Sequence, residues 1–139
     1  MADTAAMSTQ FDHDKLDVYR IAIEFTAWVG RMIDEELPGG RLSSIKHLDE
    51  ASTSVALNIA EGNGKRSAID RARFLDIARG SALECAACLD VVVARKKLDL
   101  KQVVDGKEAL VRIVSMLTKL IERLLESSTS TSTSTTRGR

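Results

Sequence analysis

Near the end of the chain five apolar residues, Leu110, Val114, Leu117, Ile121 and Leu124, recur at intervals of 4, 3, 4 and 3. That is the period of one face of an α-helix in a bundle. No run of β-branched residues shows the apolar–polar alternation of a strand, and the 139 residues include one proline. A chain of this kind buries apolar surface by packing helix on helix. It is 44% hydrophobic but only 4% aromatic, so the expected core is aliphatic and alanine-rich. Its length suits one compact domain.

Punctuation divides the chain into four helices. The first spans about Asp14 to Glu36 and stops at "LPGG", residues 37–40. The second runs from near Arg41 to Gly62, which reads as a left-handed C-cap. The third is capped by Ser67, three residues before Asp70, and continues to about Lys97, with Arg95, Lys96 and Lys97 near its negative end. The fourth starts at Asp99, three residues before Gln102, and ends near Glu126. Connections this short force neighbours to run antiparallel. The predicted fold is all-α, an up-down-up-down four-helix bundle over residues 14–126. A disordered arm, 1–13, precedes it, and a disordered Ser/Thr-rich tail, 127–139, follows.

The first helix carries more apolar residues than one face requires. Leu16 to Ile33 holds 12 among 18, where about three in seven suffice. The row Tyr19, Ala22, Thr26, Val29 and Ile33 is assigned to the core of the protomer. A second row, Ile21, Phe25, Trp28 and Met32, is assigned to a subunit interface with Trp28 as its anchor. A homo-oligomer is therefore expected.

The 20 basic and 20 acidic residues cancel, unlike the balance of a strongly basic nucleic-acid binder. No stretch approaches the roughly 18 apolar residues of a membrane span. The start lacks a charged segment followed by an apolar one, so no secretion signal is expected. Two cysteines make no disulfide framework. These features predict a cytoplasmic protein with reduced thiols.

"NIAEGNGKRS", Asn58 to Ser67, ends in a glycine-lysine pair that invites comparison with a phosphate-binding loop. The register excludes it: Ile59 stands where the first glycine belongs, Arg66 stands where Ser or Thr belongs, and a helix precedes it instead of a strand. The segment reads as a corner between helices. Asn58 and Glu61 interrupt a small-residue run and are expected to be at least half buried, hydrogen-bonded to the turn or the third helix.

Other chemistry-bearing residues are sparse. Cys85 and Cys88 form a CxxC deep inside a helix, without a second pair, and are expected as core thiols. Asp12, His13 and Asp14 read as a frayed helix start with Asp14 as cap, and His47 as a solvent-facing residue. No HExxH, GxSxG or Ser/His/Asp order is present, so no enzyme, metal, cofactor or small-molecule substrate is inferred. The basic residues Lys65, Arg66, Arg71, Arg73 and Arg79, against Asp70 and Asp76, give +5 − 2 = +3 around a helix N-terminus. Such an end can hold a phosphate backbone. The alternative is a solvated face paired with nearby acids. Phe74 belongs to an apolar row, so base stacking is not expected.

The stretch from Ser52 to Asp90 resembles the signature of the ribosomal-RNA (23S) intervening-sequence proteins. The matching residues are Asn58 to Gly62 (Glu61 among them), Arg66 and Ser67. They continue with Phe74, Leu75, Ile77, Ala78, Gly80, Ser81 and Glu84. The resemblance implies a four-helix bundle that assembles as a homopentameric ring, with no known enzyme activity. Related accessory proteins of diversity-generating retroelements form basic pentameric barrels that bind nucleic acid and a reverse transcriptase; the zero net charge here departs from them. The expected function is a non-enzymatic oligomeric scaffold or protein-interaction module. The alternative is a nucleic-acid-binding ring that uses the Lys65–Arg79 face, with nucleic acid or a nucleic-acid enzyme as partner.

Overall fold

A 3-10 turn, Asp12–Lys15, leads into α1, Asp17–Glu36; then come α2, Ser43–Asn63, α3, Ala68–Ala94, and α4, Leu100–Arg137. This computed structural model describes residues 10–37, 39 and 42–137, with 130–137 as backbone alone. Of the arm expected over 1–13, residues 1–9 lie outside the described residues, as do Pro38, Gly40 and Arg41 of the first turn. Within that turn Gly39 has φ +71, a left-handed conformation that a Cβ would strain.

Local chemistry sets the helix ends. The Ser67 hydroxyl accepts from the Asp70 amide at 3.0 Å. Asp99 N–H donates to Gln102 Oε1 at 2.9 Å, and Gln102 N–H returns to Asp99 Oδ1 at 3.3 Å. Each arrangement satisfies donors that a helix start leaves unpaired. At the end of α3, Lys97 N–H reaches the Val92 carbonyl at 3.1 Å and Lys96 N–H reaches that of Val93 at 2.9 Å. Lys96 adopts φ 59 to allow this reversal. Asp14 does not cap α1 as expected. Its carboxylate accepts from Phe11 N–H at 2.7 Å and closes the preceding turn, and Leu16 occupies the N-cap of α1.

α4 passes Glu126 and remains helical to Arg137, where a structureless tail had been expected. The extension is held locally: Thr129 donates to the Leu125 carbonyl at 3.0 Å. Of the described side chains beyond Leu124, none is buried.

Each helix packs on two neighbours, so the four close a ring in the order α1, α2, α3, α4. Facing pairs fix the antiparallel sense. Along α3 and α4, Arg79 meets Thr118 and Asp90 meets Lys107. Along α1 and α4, Trp28 meets Gly106 and Glu36 meets Gln102. Inside lie Phe25 and Val29 of α1, Leu48, Val55 and Ile59 of α2, Leu89 and Val92 of α3, and Leu110, Ile113 and Leu117 of α4, all fully buried or nearly so. Val114, Ile121 and Leu124, the rest of the α4 seam, pack half-buried at its edge.

The second row of α1, assigned above to a subunit interface, packs into the protomer's own core. Ile21 is 8% exposed, Phe25 1% and Met32 4%, all within one protomer. Trp28 is partly buried, its ring stacked on Phe25 at 5.8 Å and laid over Gly106 of α4. The assigned core row is the less buried of the two: Tyr19, Thr26 and Ile33 are only partly covered. The reason is geometric. α1 sits in the groove between α2 and α4, so its apolar band faces two helices and spans both rows.

Two glycines test this packing in opposite directions. A Cβ on Gly106 would collide with the Trp28 ring, whereas one on Gly30 would meet nothing within 4 Å. Gly106→Ala should lower stability by about 1–3 kcal/mol through overpacking and alter Trp28 fluorescence. Gly30→Ala should raise stability by about 0.5–1 kcal/mol through helix propensity. Urea unfolding of both variants checks the pair.

Candidate functional site

The residues singled out in the sequence converge on the seam between α2 and α3. Ser54 of α2 and Ser81 of α3 share a hydrogen bond at 2.9 Å. Asn58 Nδ2 donates to the Ser54 carbonyl at 2.9 Å and to its hydroxyl at 3.0 Å. Asn58 is partly buried as expected, but its bonds go to its own helix and reach α3 only through Ser54. Ala51 and Ala78, both buried, lie on the same faces of the two helices. Small side chains let the two backbones come close.

Gly62 ends this seam, and its role differs from the expected one. α2 continues to Asn63 with Gly64 as C-cap, and Gly62 has no positive φ. Its missing Cβ is what matters: one placed there would lie 2.9 Å from Phe74 Cβ and 3.3 Å from the Arg71 carbonyl. Glu61, one residue earlier, turns outward. It is exposed and its carboxylate pairs with Lys65 at 3.9 Å, so the expectation of a half-buried carboxylate fails. The 100° step between neighbours on a helix separates the two residues.

The five basic residues do not form one patch. Arg71 Nε donates to the Lys65 carbonyl at 2.7 Å and so ties down the turn. Arg73 pairs with Asp70 at 3.5 Å. Arg79 turns to α4 and donates to Thr118 at 2.9 Å. Lys65 and Arg73 both lie over the Phe74 ring, at 4.8 and 5.5 Å from its centroid. Phe74 is therefore half-covered by cations at the surface, not sunk in the core. Arg66 is exposed. Gly80 and Glu84 of the motif also face outward from α3.

Cys85 and Cys88 are both buried and free. Burial, with Cys88 and Glu84 nearby, pushes the Cys85 thiol from 9.0 up to about 12. Burial and then Glu84 raise Cys88 as well. Both are thiols at neutral pH, whereas nucleophiles and metal ligands are thiolates. His47 is exposed at the mouth of a cavity of about 380 Å³ that Glu84, Cys88 and Arg95 also line. Among the described residues no three His, Cys, Asp or Glu side chains gather to hold a metal.

Residues 14–119, which include this seam and the core of all four helices, match the 23S rRNA-intervening sequence protein model. The chain belongs to that family. A solved structure supports the fold of this intervening-sequence protein. It is a protein of unknown function of the S23 ribosomal protein family from Bacteroides thetaiotaomicron, 20% identical over 75% of this chain and 97% of that one, with a TM-score of 0.68. No curated protein matches.

Sequence reasoning missed the exposed apolar residues of α3. Ile69, Ile77, Leu83 and Val91 are each more than 40% exposed. Their signal was present: from Ala68 to Ala94 apolar residues occur on every side of the helix, more than two neighbours can cover.

The neighbours Glu61 and Gly62 separate a surface role from a packing role. Glu61→Ala should shift stability by no more than about 0.5 kcal/mol, the scale of an exposed ion pair. Gly62→Ala should cost about 1–3 kcal/mol, because α2 and α3 must move apart. Similar urea midpoints for the two variants would contradict this division.

Proposed function

We propose that this intervening-sequence protein is a non-enzymatic scaffold that assembles with copies of itself through the outer face of α3. The observation that carries this is the apolar row just described. Gly80 and Ala87, both exposed, stand between its members and leave the face flat. On the α4 side it is bordered by Val104 and Val111, 47% and 67% exposed. They flank Lys107, whose ammonium bonds Asp90 of α3. Exposed apolar side chains along one helix face are characteristic of an association site. Arg73, Asp76 and Glu84 interrupt it with charges that can fix the register of a partner. A closed ring is the form in which such a face leaves no copy uncovered, and the number five rests on the family resemblance.

The partners that the basic residues have within the chain favour this reading over a nucleic-acid-binding ring. Lys65, Arg73 and Arg79 have partners within the chain, and Arg71 donates its Nε to the turn. We assign the protein to the cytoplasm on the same reading. Among the described residues no helix is long and apolar enough to cross a membrane.

Light scattering tests the assembly. The wild type at micromolar concentration should give a closed multiple of 15.2 kDa, five by resemblance. Leu83→Glu should dissociate it with helicity retained, since Leu83 contributes nothing to the protomer core. A monomeric wild type, or an unchanged oligomer in Leu83→Glu, would contradict the proposal. Retention of generic RNA at low salt, lost as salt rises, would favour the nucleic-acid reading.

A further inference from the structure

One end of the bundle carries a feature that the outer face of α3 does not include. Where α1 begins, Leu16 lies across a cleft from Met116 and Leu120 in the second half of α4. Two adjoining cavities open there, of about 320 and 180 Å³. They share Leu16, Leu120 and Arg123. Their walls are otherwise mainly apolar: Val18 and Met116 in the larger, Leu75 and Leu124 in the smaller.

The rim is cationic. Lys15, Lys119 and Arg123 border the larger cavity, and Arg71 joins Arg123 at the smaller. Asp17 is the one carboxylate lining either, and it is engaged by Arg20 at 3.6 Å. Among the described residues Lys15, Lys119 and Arg123 make no ion pair, and Arg71 commits its Nε to a carbonyl while its terminal nitrogens stay free. Four cations around an apolar cleft repel one another unless an anion joins them.

We propose that this cleft binds an amphipathic carboxylate, an unbranched acyl chain with its anionic head held by Arg123, Lys119 and Arg71. Both halves of the site are needed to define that ligand. A bare anion or a phosphate backbone would satisfy the cations but leave Leu16, Leu120 and Leu124 uncovered. A neutral apolar molecule would fill the cleft and leave the cations unbalanced. A guanidinium matches a carboxylate in a paired, planar hydrogen bond, and the apolar walls supply affinity in proportion to the chain they cover. The larger volume lies at the lower end of those for small-molecule sites, and the smaller adjoins it. The inference stands apart from the assembly: Arg71 and Leu75 belong to α3, but neither is among the exposed residues of its outer face.

Calorimetric titration of the full chain with decanoate, decanol and acetate at low salt tests it. Decanoate should bind once per chain with a Kd on the order of 10 μM, and decanol and acetate at least about tenfold more weakly. Arg123→Gln should weaken decanoate about tenfold. Arg112→Gln, an exposed change on α4 outside both cavities, should leave it unchanged. Both variants remove an exposed charge and should keep wild-type helicity, so a loss in Arg123→Gln reports on binding. No saturable heat from decanoate, equal binding of decanol or acetate, or an unaltered Kd in Arg123→Gln would overturn the proposal.

Discussion

The fold depends on how closely α2 and α3 approach. At one end of their seam the backbone of Gly62 lies against Phe74 and the carbonyl of Arg71, where a Cβ would stand 2.9 Å from its neighbour. At the middle, two serine hydroxyls bridge the helices at 2.9 Å. Buried alanines fill the space around them. Close contact lets a short corner join the helices, and Arg71 locks that corner through the Lys65 carbonyl. α1 and α4 then complete the ring with larger side chains, Phe25 and Trp28 against Gly106 and Leu110 among them.

The same arrangement explains what is left outside. α3 has α2 on one side and α4 on the other, and it is apolar beyond both contacts. Its third side carries Ile69, Ile77, Leu83 and Val91 into solvent. α1 is also apolar over a wide arc, yet most of that arc is covered, with Ile23 left at the surface. The difference lies in where each helix sits, between two neighbours that wrap it or along two that leave its back bare.

That difference was not legible in the sequence. Spacing reports the angle at which a residue leaves a helix, and it is silent on how many helices stand around it. Ile21, Phe25 and Met32 on α1 and Ile77, Leu83 and Val91 on α3 have similar chemistry and opposite fates. Gly62 was visible as a special position, but a glycine can serve a left-handed turn or a close approach, and only the neighbouring helix distinguishes them. Glu61 shared its sequence surroundings with Asn58 and not its direction. Capping was legible, because Ser67 with Asp70 and Asp99 with Gln102 act within a few residues of backbone. The cation cleft drew Lys15, Arg71, Lys119 and Arg123 from three separate segments, so no local charge count could show it. The cluster that was visible, Lys65 to Arg79, turned out to serve the corner, the Phe74 ring and the contact with α4.

The apposition of α2 and α3 can be measured directly. Ser54 and Ser81 are replaced together by cysteine, in a chain whose Cys85 and Cys88 are alanine, and the protein is mildly oxidised. Oxygen atoms 2.9 Å apart place two sulfurs within reach of a bond of about 2.05 Å. A disulfide within each chain, formed in nearly full yield with helicity unchanged, is the predicted result. Thiols that stay reduced in the folded protein, or pair only between chains, would contradict the close seam on which the fold depends.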